Sequence, residues 1–315
     1  MKFSVCIPAY NNPSFLARAL ESVKSQNYSL KEVVVFDDCS SIDLSVVINE
    51  FRINTSIPLT YVRSEVNLRP PVSWNRCVSI ATGDIFVLLP HDDELAPGAL
   101  AYVASVFQSK QDVGMVTGMV TRVSTESYLK DQIIFDKNLN LTLRSKEAIA
   151  HFLGASNCHP AANFILMKNL KPGNIWQTDY WDDWVFYYIQ AYYHGVFISD
   201  KSLAIVHAHS ANLSTLLSRE TSRPDADYRL DQLFGLLNQL PVRDHETRLM
   251  IYTELRNLGD SYMKWSIKNF LVGNFNTAYS CFKCGRLLNP MVFIRVQFYI
   301  SIIQKLFRLF QRGIR

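Results

Sequence analysis

Residues 85–94 read Ile85-Phe86-Val87-Leu88-Leu89-Pro90-His91-Asp92-Asp93-Glu94. Five apolar residues run without a break into a proline and then into one histidine and three acids. A short continuous apolar run is expected of a strand covered on both faces. In an open α/β sheet, ligands bind beyond the carboxyl ends of such strands. The same pattern occurs twice upstream. Phe3-Ser4-Val5-Cys6-Ile7 leads into Pro8-Ala9-Tyr10-Asn11-Asn12, and Val33-Val34-Val35-Phe36 leads into Asp37-Asp38-Cys39-Ser40-Ser41. Three apolar strands ending in polar clusters at one sheet edge describe a ligand site better than a solvated rim.

Helical signals lie between these strands. Asn12 reads as a cap before Pro13 at the first helical position, and Phe15, Leu16, Ala19, Leu20 and Val23 follow at helical spacing. Residues 59–62 suit a third strand and residues 71–81 a helix. Pro97 is expected to open another helix, with Leu100, Val103, Val106 and Phe107 inward, before a fifth strand at 113–117. Alternating strands and helices predict an α/β domain with a mainly parallel sheet and helices on both faces. From about residue 225 the pattern is helical. A cluster of Ser, Thr and Pro224 sets a boundary, giving one domain over 1–220 and a helical C-terminal region over 221–315.

Composition bounds the rest. The 315 residues are 48% hydrophobic, enough for a sizeable core without covalent staples. Six scattered cysteines suit a reducing cytoplasm. Cys281 and Cys284 form one C-x-x-C without a second pair at zinc-site spacing, and read as helix-face cysteines. The apolar start is short and closed by Pro8, so no secretory signal is expected, and no stretch reaches the roughly 18 apolar residues of a membrane span. The net charge of +4 is asymmetric: residues 261–315 hold nine Lys or Arg and no Asp or Glu. Such a split suggests a surface-binding segment.

The acids at 92–94 are hard oxygen ligands suited to Mg²⁺ or Mn²⁺. Such an ion would bridge the two phosphates of a nucleotide. Asp93 or Glu94 could equally cap the helix expected at Pro97, and both readings can hold together.

Several segments then carry a family resemblance in order and spacing: residues 4–11, residues 32–40, Asn67-Leu68-Arg69 with Trp74-Asn75-Arg76, Ala81-Thr82-Gly83-Asp84, and residues 88–100. Together they resemble the family 2 glycosyltransferases, which have the GT-A fold. The likeness covers roughly 3–107 and continues more weakly to about 214. It implies that Pro8, Ala9, Tyr10, Asp37 and Asp38 hold the nucleoside of a nucleotide-diphosphate sugar, with Asp38 at the base. Arg69, six residues before Asn75, would contact the diphosphate. The family's Asp-x-Asp metal motif falls on Pro90-His91-Asp92, so Pro90 replaces the first acid. Asp92 is the expected metal contact, Asp93 supplies a second acid beside it, and His91 is grouped with the nucleotide contacts. Tyr180-Trp181-Asp182-Asp183-Trp184 resembles the segment carrying the catalytic base, which makes Asp183 the base and Asp182 its acidic neighbour. His209 matches a histidine that completes the metal site or contacts a phosphate, and His207 stands where the family often has Arg. Residues 159–163 occupy a segment that faces the acceptor.

The resemblance implies an inverting transfer onto a saccharide or lipid-linked saccharide acceptor, in bacterial cell-surface polysaccharide synthesis. Two other readings remain: a nucleotide-sugar-binding protein without catalysis, to which Pro90 gives support, and an interaction protein acting through residues 262–290, which faintly resemble one tetratricopeptide unit. Residues 296–315, read as a helix, set a basic face beside a wide apolar one. That pattern predicts a helix lying in an anionic membrane surface, with packing on the protein's own core as the alternative. The expected location is cytoplasmic, peripheral at the inner face of the plasma membrane, with no nucleic-acid partner.

Overall fold

The structure, a computed structural model, describes residues 1–124, 130–133, 139–155, 159–170, 176, 183–209, 245–271, 273 and 275–288. The chain divides into two compact units, Met1–Asn212 and Leu213–Arg315.

The first unit is α/β. Its strands are β1 (Phe3–Ala9), β2 (Leu30–Asp37), β3 (Leu59–Arg63), β4 (Ile85–Leu88), β5 (Glu94–Leu95), β6 (Met115–Ser124), β7 (Lys130–Ile133), β8 (Leu141–Leu143), β9 (Asn163–Leu166) and β10 (Val196–Ala208). Its helices are α1 (Pro13–Lys24), α2 (Ser45–Asn54), α3 (Val72–Ile80), α4 (Ala99–Ser109), α5 (Ser145–Ala155) and α6 (Asp183–His194). One sheet runs β3-β2-β1-β4-β9-β6-β10-β5, with β7 beside β6 and β8 beside β10. The strands β3, β2, β1 and β4 are parallel, as are β6 and β10. β9 enters antiparallel between β4 and β6.

Side chains alternate across the strands. Val5, Ile7, Val33, Val35, Val87 and Leu89 share a core with Leu16, Leu20, Ile48, Leu100 and Val103 of α1, α2 and α4. Ser4, Cys6, Val34 and Phe86 are buried on the other face, where Cys77 of α3 places its Sγ 3.5 Å from the Val34 carbonyl oxygen. Burying each such Val, Leu or Ile contributes about 1.5–3 kcal/mol.

The sequence signature at 81–84 is architectural. The buried Glu32 accepts hydrogen bonds at Oε1 from Ser4 Oγ (2.9 Å), Thr82 N (2.7 Å) and Thr82 Oγ1 (2.7 Å). Gly83 N donates to Ser4 Oγ at 2.8 Å, and Asp84 accepts from Lys2 N at 2.8 Å. A Cβ at Gly83 would lie 2.7–2.9 Å from Ser4 Oγ, Ser4 N and Lys2 O, so only glycine fits there.

Two helix starts differ from expectation. Asn12 precedes α1 in a left-handed conformation (φ 50°) and its side chain makes no cap bond, because capping needs an extended backbone at that position. Its carbonyl accepts from Phe15 N and Leu16 N instead, and Pro13 does open the helix. α4 begins at Ala99, two residues after Pro97, because Gly98 turns the chain at φ 74°. Leu100, Val103, Val106 and Phe107 are buried as expected.

In the second unit, α7 (His245–Leu271) and α8 (Phe275–Leu288) pack together. Gly273, at φ 80°, lies between them. Ser266 Oγ donates to the Ala278 carbonyl at 2.7 Å. The Cys281 and Cys284 side chains are buried on α8. No described helix is long and apolar enough to cross a membrane. The basic helix expected at 296–315 lies outside the described residues.

Candidate active site

The parallel strands β1, β2 and β4 bring the three polar loops to one edge. The first two loops are tied together. Asn11 N donates to Ser40 Oγ at 2.8 Å, and Asn11 Oδ1 accepts from Ser41 N at 2.8 Å. Asn11 and Asn12 hold positive φ angles of 55° and 50°. Tyr10 is 44% exposed at the tip of β1, an open aromatic face beside Pro8 and Ala9.

The paired acids after β2 have separate roles. Asp37 is buried and its carboxylate is spent inside the fold: Tyr61 OH donates to Oδ2 at 2.7 Å, Ser40 N donates to Oδ1 at 2.8 Å, and Arg63 Nε lies 3.3 Å from Oδ2. Burial and the Asp37 carboxylate hold the Tyr61 phenol proton well above its ordinary range. Asp38 accepts from Leu68 N (2.7 Å) and Arg69 N (2.9 Å). It therefore sets the loop from which Arg69 projects, in a left-handed conformation at φ 58°. Asn75 and Trp176 bond reciprocally, Asn75 Nδ2 to the Trp176 carbonyl at 2.7 Å and Trp176 N to Asn75 Oδ1 at 3.1 Å.

The third loop meets the end of β10. β5 and β10 are antiparallel, with Glu94 opposite Ile205. That register carries His207 and His209 alongside the acids. His209 Nε2 lies 3.3 Å from Asp92 Oδ2. Asp93 turns the other way. It is buried, accepts from His207 N at Oδ1 (3.1 Å), and places Oδ2 3.6 Å from His159 Nε2. Burial, then the charge of Asp92, raises the Asp93 carboxyl well above the usual carboxylate range. Burial lowers His159 to about 4. It also lowers His91, which bonds the Pro8 backbone and buries a ring Nε2 with no hydrogen-bond partner among the described residues. Neither Asp93 nor Glu94 caps a helix.

Among the described residues no three His, Cys, Asp or Glu side chains form a ready metal cage. Asp92 and His209 nevertheless fit as two neighbouring ligands. Octahedral ligands at about 2.1 Å from one ion stand about 3 Å apart. One carboxylate oxygen and one imidazole nitrogen would suit a divalent cation such as Mn²⁺. Asp93, expected to share the metal, lies with His207 and His159 instead.

Asp183 is the first residue of α6, a helix opening as expected of the base segment. Asp182 and the side chain of Asp183 lie outside the described residues. Sequence reasoning gave Phe15 only a place in the apolar stripe of α1 and did not single out Arg18, yet Phe15 packs on His209 and Arg18 bonds the Asp92 carbonyl. The available signal was Arg18, one turn after Phe15 at the edge of the apolar stripe of α1.

A sheet edge that gathers three polar loops and an acid–imidazole pair defines an α/β domain built for a charged ligand. A family model described as Glycosyl transferase family 2 matches residues 4–169, more than half of the 315 residues. The chain belongs to that family. It is 33% identical over 115 residues to the abequosyltransferase RfbV of Salmonella typhimurium, covering 36% of this chain and 34% of the relative. The alignment thus spans about a third of that protein. Among solved structures, the fold is similar to Staphylococcus aureus TarS 1-349 in complex with UDP-GlcNAc, with a TM-score of 0.61 and 18% identity over 81% of this chain and 72% of that one. It is similar also to the mannosyltransferase PcManGT of Pyrobaculum calidifontis in complex with GDP-Man and Mn²⁺, with a TM-score of 0.57 and 13% identity over 91% and 86%.

Proposed function

We propose that the chain is a metal-dependent inverting glycosyltransferase that moves a sugar from a nucleotide-diphosphate sugar to an acceptor hydroxyl. The observation that carries this reading is the juxtaposition of Asp92 and His209 at 3.3 Å, on the edge where the β1 and β2 loops are latched together. Family membership and the nucleotide-sugar complexes of TarS and PcManGT support it.

In this reading Tyr10, with Pro8 and Ala9, lines the nucleoside site, and Asp38 holds the Arg69 loop that faces the diphosphate. Asp37 supports the site from beneath. His91 braces the Asp92 loop against Pro8. Asp92 and His209 would hold Mn²⁺ or Mg²⁺, which would supply positive charge to the departing diphosphate. Asp183, next to Asp182, takes the acceptor hydroxyl proton as that oxygen attacks the anomeric carbon. The bond from the anomeric carbon to the diphosphate breaks in the same displacement. The nucleoside diphosphate leaves with the bonding electrons, and the configuration inverts.

The acceptor is a saccharide or lipid-linked saccharide of a bacterial surface polysaccharide, and the 221–315 region holds the catalytic domain at an anionic membrane surface. Nine cations without an anion over 261–315 support that placement. Measuring nucleoside diphosphate release from UDP-, GDP- and dTDP-sugars with and without Mn²⁺ tests the reading. Donor binding without any turnover would favour the non-catalytic alternative.

A further inference from the structure

Three consecutive acids, Asp92, Asp93 and Glu94, crowd the turn after β4, and the third is the least accounted for by a ligand site. Glu94 joins two elements that are distant in the chain. Its Oε1 lies 2.6 Å from His207 Nε2 of β10 and 3.4 Å from Arg18 Nε of α1. Arg18 in turn donates from Nη2 to the main-chain carbonyl of Asp92 at 2.6 Å. The guanidinium lies over the Phe15 ring, 5.2 Å from its centroid, and that ring packs against His209 with centroids 4.8 Å apart. A closed circuit results. α1 holds the backbone of Asp92 through Arg18 and the ring of His209 through Phe15, while Glu94 ties Arg18 to the strand that delivers His209.

We infer that Arg18, Glu94 and His207 form a positioning clasp that fixes the separation of Asp92 and His209 before a divalent cation arrives. The inference rests on the metal reading proposed above. Its physical basis is that a metal site lacking the first acid of its motif, here Pro90, has fewer ligands to define its geometry. Its affinity then depends more on how closely the remaining ligands are held in place. The side chains of Arg18, Glu94 and His207 are 32%, 23% and 12% exposed. The clasp is therefore partly shielded: Arg18 Nη2 to the Asp92 carbonyl and His207 to Glu94 are charge-assisted hydrogen bonds, while Arg18 Nε and Glu94 meet as an ion pair. Arginine suits the position because its planar fork reaches the Glu94 carboxylate and the Asp92 carbonyl at once, which a lysine ammonium cannot do in the same geometry.

The test is Mn²⁺ binding to the full chain, read from loss of the free-ion electron paramagnetic resonance signal. It is run with Mn²⁺ alone and again with UDP, GDP or dTDP present, on the parent, Arg18→Met, Arg18→Lys, Glu94→Gln and Asp92→Asn. Melting temperatures are taken without metal. The clasp predicts that Glu94→Gln and Arg18→Met weaken Mn²⁺ binding by about 10–100-fold, the usual effect of removing a partner that orients a metal ligand. Arg18→Lys should fall between Arg18→Met and the parent. Glu94→Gln keeps the side-chain volume and carries the test if Arg18→Met proves unstable. If Asp92→Asn loses the ion while Glu94→Gln retains parental affinity and melting temperature, the clasp is wrong and the metal reading stands. If Asp92→Asn binds Mn²⁺ as the parent does, or the parent binds none under either condition, both readings are overturned together.

Discussion

Asp92 and Asp93 are neighbours in the chain, yet the structure gives them opposite surroundings. Asp92 faces His209, whereas Asp93 is buried against the backbone of β10. Asp92→Asn should therefore abolish transfer and leave the melting temperature close to that of the parent; full activity in excess EDTA would contradict its role. Asp183→Asn should lower turnover by about 10²–10⁴-fold with little change in donor KM, the usual size of a general-base contribution. If Asp182→Asn is instead the inactive variant, the base lies one residue earlier. Tyr61 tests the support beneath the site. Removing its hydrogen bond to the buried Asp37 carboxylate in Tyr61→Phe should cost about 1.5–3 kcal/mol in urea unfolding at pH 7. The phenol keeps its proton in the folded state above the pH near 10 at which the unfolded chain loses it. That stabilisation is whole below pH 10 and declines above it, so the gap between parent and variant should narrow as pH rises past 10. A gap that widens would show that Tyr61 is not held in its neutral form. Asp92 was legible because the acidic cluster directly follows an apolar run. The inward turn of Asp93 was not, since it depends on β10, more than a hundred residues away.

At the scale of elements, β1, β2 and β4 were readable because each is a short apolar run closed by polar residues. Three other features were hidden by chemistry that local sequence does not display. α2 buries only Ile48 and Phe51 along its length, too thin a stripe to announce a helix. β6 extends seven residues beyond the expected 117, to Ser124, because its later half pairs with β10 and β7 rather than forming an apolar run. The antiparallel insertion of β9 between β4 and β6 is a long-range pairing, and it makes the sheet order unreadable from alternation alone. β10 matters most for the site, since its pairing with the two-residue β5 is what brings His207 and His209 to the acids. The junction of β1 with the start of β4 can be tested at Gly83. Gly83→Ala forces a Cβ within 3 Å of Ser4 N and Lys2 O, both backbone atoms that cannot swing aside. Overpacking of this kind should destabilise the fold by about 1–3 kcal/mol in urea unfolding. A variant as stable as the parent would show that β1 and the 81–84 loop are not closely fitted.

At the scale of the whole molecule, charge and chemistry fall in different parts of the chain. The candidate site is built entirely within the first unit, while 261–315 carries nine cations and no anion. Each Lys or Arg near an anionic leaflet contributes about 1 kcal/mol of attraction. The full chain should therefore float with anionic vesicles at low salt, and a chain truncated before Met291 should float less; equal flotation of the two would remove the C-terminal segment from the account. The fold class was legible at this scale because alternation of strands and helices survives averaging over many residues. Substrate identity was not, because it depends on pocket shape rather than on motif. Metal-dependent transfer at Asp92 is tested by release of nucleoside diphosphate from a panel of UDP-, GDP-, dTDP- and CDP-sugars with Mn²⁺, comparing the parent with Asp92→Asn. Release from at least one donor by the parent is expected, with its loss in excess EDTA and in Asp92→Asn at unchanged melting temperature. Release that persists undiminished in EDTA and in Asp92→Asn would contradict it.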